Sequence, residues 1–76
     1  MFYVYLIKRK DIKKTYIGYT DNLKRRIKEH KQKIPDIIYY EAYKSEKDAR
    51  DRERMLKQRG QSARRLKERL KESLQI

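Results

Sequence analysis

A chain of 76 residues with no cysteine has to hold one small core by packing alone. Small domains bury a limited share of their surface and are marginally stable. Disulfides, thiolate nucleophiles and cysteine-based zinc sites are excluded together, and with one histidine so is a histidine-rich metal cluster. Residues 1–76 read as a single domain, with no internal repeat, Gly/Ser linker or low-complexity tract. That leaves no room for a recognition domain beside a catalytic one. No apolar run approaches the ~18 residues of a membrane helix. Met1-Phe2-Tyr3-Val4-Tyr5 also lacks the basic opening of a secretory signal. The expectation is a soluble, cytoplasmic protein with no membrane partner.

Charge narrows the partner. Lys and Arg number 23 against 11 Asp and Glu, for a net charge of +12. Such a field favours polyanions. A charged surface serving only solubility or heat tolerance would bring Lys and Glu nearer to balance. The basic residues are interspersed with acids, so they do not form a disordered tail. Nucleic acid is the expected partner; the sequence leaves the oligomeric state open.

Phe2 to Lys8 is apolar, aromatic and β-branched and reads as a strand, with Phe2, Val4 and Leu6 on one face and Tyr3, Tyr5 and Ile7 on the other. A polar loop from Arg9 to Lys14 leads to a second strand, Thr15 to Tyr19, paired as a hairpin. Thr20-Asp21-Asn22 offers helix caps. Behind them Leu23, Ile27 and Ile34 form a stripe that ends before Pro35. Ile37 to Tyr43 reads as a third strand. Ser45 caps a helix running from about Glu46 towards Gly60, its expected stop. Ser62 would cap a last helix with the stripe Ala63, Leu66, Leu70 and Leu74. The order β-β-α-β-α-α predicts an α+β fold, a three-stranded antiparallel sheet with helices packed around it.

Polar residues break the apolar stripes. At about 100° per residue, with Leu23 at 0°, His30 falls at about −20° and Arg26 at about −60°. In the next helix, with Ala49 at 0°, Leu56 falls at about −20° and Glu53 at about 40°, within the apolar face. Tyr3 and Tyr5 share a strand face, as do Tyr16 and Gly18. Desolvated charges need partners, so these groups are expected to meet. Taken singly, each has a plainer role. Glu53 can salt-bridge an arginine, Arg26 can lay its stem on the core, His30 can be a packed core histidine, and the tyrosines can be strand-packing residues. Gly18 can mark a bulge or a close backbone approach.

Tyr3-Val4-Tyr5 followed by Tyr16-Ile17-Gly18 resembles the paired tags of the GIY-YIG nuclease superfamily. Arg26, eight residues after Gly18, and His30, four further on, match the family's first helix. Glu53 within Asp51-Arg52-Glu53-Arg54 resembles the family's metal-binding glutamate. The likeness covers almost the whole chain and is nearest to the short stand-alone URI or UPF0213 type. It departs in having Tyr3 where the first tag has glycine. It also has no asparagine after Glu53, where larger members carry one.

The resemblance implies hydrolysis of a phosphodiester bond in DNA with one divalent cation, Mg2+ or Mn2+. Glu53 would hold the metal, and Arg26 would bind the scissile phosphate. Tyr5 would orient or deprotonate the attacking water, with Tyr16 and His30 assisting. Arginine presents a planar, always charged fork to phosphate. Magnesium keeps several waters, so one carboxylate can suffice. A tyrosine, with a reference pKa of about 10, needs a nearby cation to act as a base. The implied function is a metal-dependent endonuclease of low sequence specificity, helped by a targeting partner protein. The alternatives are a catalytically weak or inactive nucleic-acid-binding module and a basic piece of a larger assembly.

Overall fold

The computed structural model describes residues 1–9, 14–30, 35–58 and 60–75, with the side chains of residues 30, 35 and 36 outside that description. The elements are β1 (Phe2–Arg9), β2 (Lys14–Thr20), α1 (Leu23–His30), β3 (Pro35–Tyr43), α2 (Glu46–Gln58), α3 (Gly60–Arg69) and α4 (Lys71–Gln75). The expected α+β class and order hold, with the last helix divided at Leu70. Among the described residues, no helix is long and apolar enough to cross a membrane.

The apolar, β-branched β1 takes the centre of an antiparallel sheet ordered β2-β1-β3. It is buried on both faces: Val4 and Leu6 on one, Tyr5 and Ile7 on the other. β1 pairs with β2 through Tyr5↔Gly18 and Ile7↔Tyr16, and with β3 through Tyr5↔Tyr40. A register shift between Leu6 and Ile7 marks a bulge against β3.

The Val4 face carries the core. Ala49 and Leu56 of α2 and Leu66 of α3 close on Val4, flanked by Ile17, Tyr19, Tyr39 and Tyr43. Leu70 joins the same cluster, and Lys8 Nζ donates to the Leu74 carbonyl, tying α4 to β1. The predicted stripe of Ala63, Leu66, Leu70 and Leu74 is therefore the side that packs: Leu66 is buried and the other three are half-buried.

Three expectations are corrected. Gly60 is helical, within α3 (Gly60–Arg69), rather than a stop, and Ser62 lies inside that helix rather than capping it. A glycine after an apolar stripe reads as a stop, but its permissive backbone also adopts the helical conformation at a modest entropic cost. The α1 stripe is only partly covered. Leu23 and Arg26 are half-buried while Ile27 is exposed, so the helix is rolled toward its Arg26 side. Ile34 and the loop residues 10–13 lie outside the described residues.

Candidate active site

The first helix places one cation. Asn22 Oδ1 accepts from the Arg25 amide at 3.0 Å, and the Asn22 carbonyl from the Arg26 amide at 3.1 Å. This is the N-cap among the three residues the sequence offered. Buried Thr20 fixes the cap in turn, its hydroxyl accepting from the Asn22 amide at 3.0 Å. Arg26 follows one turn later on the sheet side. Its Nε donates to the Tyr5 hydroxyl at 2.9 Å and its Nη1 to Glu29 at 3.0 Å. The Tyr5 bond first, and then attraction to that oxygen, hold the guanidinium above its ordinary pKa.

Tyr5 is 3% exposed, and its ring lies across the backbone of its pairing partner. A Cβ at Gly18 would collide with the Tyr5 ring carbons and hydroxyl. Glycine is therefore required here because a side chain from the neighbouring strand occupies the space, the close approach the sequence allowed for.

The second helix places one anion. Ser45 caps it, its Oγ accepting from the Asp48 amide at 3.3 Å, with Glu46 and Asp48 complementing the first turn. Ala49 and Leu56 are fully buried, so Glu53 between them is carried against the protein, its side chain 19% exposed. Lys57, one turn on, pairs with its carboxylate at 3.0 Å.

Arg52, next to Glu53, fixes the roll of α2. Its Nε and Nη2 hold both oxygens of Glu41 on β3 at 3.0–3.2 Å. Glu41 also accepts from the hydroxyls of Tyr39, at 2.8 Å, and Tyr43. Burial pushes the Glu41 carboxyl up, but the bonds from Arg52, Tyr43 and Tyr39 outweigh it and hold the group below the usual carboxylate range. Burial, then the bond to Glu41, pushes Tyr43 up to about 12.

Four of the five expected residues come together. Tyr5, Tyr16, Arg26 and Glu53 line one cavity of about 360 Å³, with Gly18 in its wall. The fifth, His30, ends α1, and its side chain lies outside the described residues. Two cations join that had not been singled out, Arg9 and Lys57. The spacing of Lys57, four residues after Glu53, was a readable signal. The Glu41–Arg52 clamp was also missed, although Tyr39, Glu41 and Tyr43 alternate onto one strand face.

Among the described residues, no three His, Cys, Asp or Glu side chains gather. Among the described residues, Glu53 is the one carboxylate in the cavity lining, which it shares with Tyr5, Tyr16 and Tyr19. This donor set is all oxygen, as a hard cation requires. It suits an ion that keeps most of its ligands as water or substrate oxygens, and not a site formed by protein alone. A larger cavity of about 620 Å³, lined by α3 and α4 residues including Arg64, Lys67 and Lys71, holds neither tyrosine nor Glu53. The expected site residues that the structure describes lie in the smaller one.

The family model of the GIY-YIG catalytic domain matches residues 1–69, which include every element from β1 to the end of α3. Neither a curated protein nor a solved structure matches the chain.

Proposed function

The chain belongs to the GIY-YIG catalytic-domain family, whose members are nuclease domains acting on nucleic acid, and on that premise we propose that it is a divalent-metal-dependent endonuclease. Its substrate is DNA, cleaved with low sequence specificity, and its cation is Mg2+ or Mn2+. The observation that carries this reading is the shared cavity, where Tyr5 of β1, Tyr16 of β2, Arg26 of α1 and Glu53 of α2 line one space.

Arg26 presents Nη2 to a phosphate while Nε stays on Tyr5 and Nη1 on Glu29. Tyr5 is the group for the attacking water, with a fixed positive charge against the oxygen that would take the proton. Tyr16, 42% exposed, meets substrate at the mouth and assists with His30. Glu53 would hold the cation once Lys57 releases it, and the ion, when bound, would supply positive charge for the phosphoryl oxygens. Basic side chains read phosphates and carry little base information, hence the low specificity.

Within the family we place the chain with the short stand-alone URI or UPF0213 type, in the cytoplasm, with a partner protein supplying targeting. The competing reading, a catalytically weak or inactive nucleic-acid-binding module, draws support from Glu53 being neutralised by Lys57 and from the lack of a later asparagine. Against it, a carboxylate facing a phosphate repels the ligand unless a cation lies between. Nicking of supercoiled plasmid tests the two. Activity in Mg2+ or Mn2+ that chelator abolishes is expected, and binding without nicking in either metal would leave the module.

A further inference from the structure

Beside the catalytic cavity the sheet keeps a second recess. It has a volume of about 310 Å³ and lies between the start of α1 and the β1 and β3 tyrosines, lined by Met1, Tyr3, Asn22, Leu23, Lys24 and Tyr40 among others. The Tyr3 and Tyr40 rings meet edge to face, with centroids 6.2 Å apart and planes at 65°. Tyr40 is 54% exposed, and Ala42 on the same face is exposed too, so among the described residues no helix covers this side of β3 at these positions. Neither ring belongs to the core cluster of the described residues.

The recess neighbours the proposed active site along the sheet and α1. Tyr40 is the direct pairing partner of Tyr5 across β1 and β3. Tyr3 lies two residues, about 6.7 Å, before Tyr5 on the same face. Along α1, Leu23 lines the recess and Arg26 the catalytic cavity, less than one ~5.4 Å turn apart. These offsets match the separation of a nucleobase from its own or the adjacent phosphate. A phosphate on Arg26 therefore brings a neighbouring base to Tyr40, while Lys24 supplies a cation for the next phosphate. Two polar groups of the recess are already engaged: Asn22 Oδ1 caps Arg25, and Asp21 pairs with Arg25 at 3.6 Å. The exposed Tyr40 ring offers a base a π-face, which every base can use.

Resting on the nuclease reading above, we infer that this recess holds an unpaired nucleobase beside the scissile phosphate, so that the substrate class is single-stranded or locally unpaired DNA. A fully paired duplex cannot offer a base to Tyr40 without paying to unstack it. The recess also accounts for weak sequence preference, since stacking is sequence-tolerant.

The test uses the full chain in chelator, where no cleavage occurs, with 2-aminopurine oligonucleotides offered single-stranded or as duplex. The parent is expected to bind the single strand more tightly than the duplex and to change the 2-aminopurine fluorescence. Tyr40→Ala should lose roughly tenfold on the single strand, with little change on the duplex. Tyr40→Phe, which keeps the ring and guards against a fold defect, should bind as the parent does. Equal parental affinity for both forms, or an equal loss on both in Tyr40→Ala, overturns the inference. Because binding is read without metal, a protein that never cleaves would still answer this question. A failed recess would leave cleavage by the parent untouched.

Discussion

The Arg26 guanidinium, on the helix, donates from Nε to the hydroxyl of Tyr5, on the central strand, at 2.9 Å. The bond joins the group proposed to hold a phosphate to the group proposed to handle the water. Tyr5→Phe keeps the ring over Gly18 and deletes only the acceptor. It should cost about 1 kcal/mol of stability, the usual net worth of one hydrogen bond. Cleavage should fall by about 10²-fold or more, the lower range for a general acid–base group. Thermal melts and single-turnover rates separate the two effects.

Gly18 is open to an equally pointed test. The Tyr5 ring fills the place of a Cβ there, and that ring is buried and tethered by Arg26. Gly18→Ala has to push the ring aside, an overpacking cost of about 1–3 kcal/mol. Activity should fall with Tyr5→Phe rather than beside it, so the double variant should be little worse than either single one. Simple additivity in the rates would speak against this coupling.

The Glu41 clamp predicts how stability follows pH. Its carboxyl sits below the ordinary range when folded. Its contribution is therefore complete above the unfolded value of about 4.3 and is lost as pH falls through the lower, folded value. Tyr43 works at the other end. Raised to about 12 when folded, it contributes fully below its reference value of about 10 and loses that contribution as pH climbs from there toward the folded value. Melting temperatures of Glu41→Gln should fall less steeply in acid than those of the parent. Glu41→Ala, which strands Arg52 and two phenols, should cost about 1–3 kcal/mol at neutral pH.

Lys57 holds Glu53, the carboxylate proposed to bind the cation. Lys57→Met should tighten Mn2+ binding about twofold, the worth of an exposed helical ion pair. It should also lower the salt dependence of duplex binding by ~0.9 in log–log slope if Lys57 turns to a phosphate. Paramagnetic resonance of Mn2+ and a salt titration measure the two. Unchanged Mn2+ affinity would mean that Lys57 does not compete for Glu53.

Much of this site was legible because each residue breaks a local pattern. Glu53 could be picked out since it sits between Ala49 and Leu56 at helical spacing, where a carboxylate needs a reason. Tyr5 and Gly18 were readable as strand positions, and the tags together with Arg26 and His30 carried the family. Less legible was anything that depends on how one element is rolled against another. Arg26 was placed only at the edge of its stripe, yet it is half-buried while the nominally central Ile27 is exposed, because α1 rolls to satisfy a guanidinium. Glu41 found Arg52 across 11 residues, a distance over which periodicity says nothing. Gly60 was ambiguous in principle, since the backbone freedom that lets glycine end a helix also lets it sit within one.

The most direct test of the account compares parent and Glu53→Ala in Mg2+ on the same DNA, reading single-turnover cleavage and, in chelator, affinity. The account predicts that cleavage falls at least about 10²-fold, the scale of losing a group that stabilises transition-state charge, while DNA binding in chelator holds or tightens as a repelling carboxylate is removed. Cleavage at the parental rate by Glu53→Ala would contradict it.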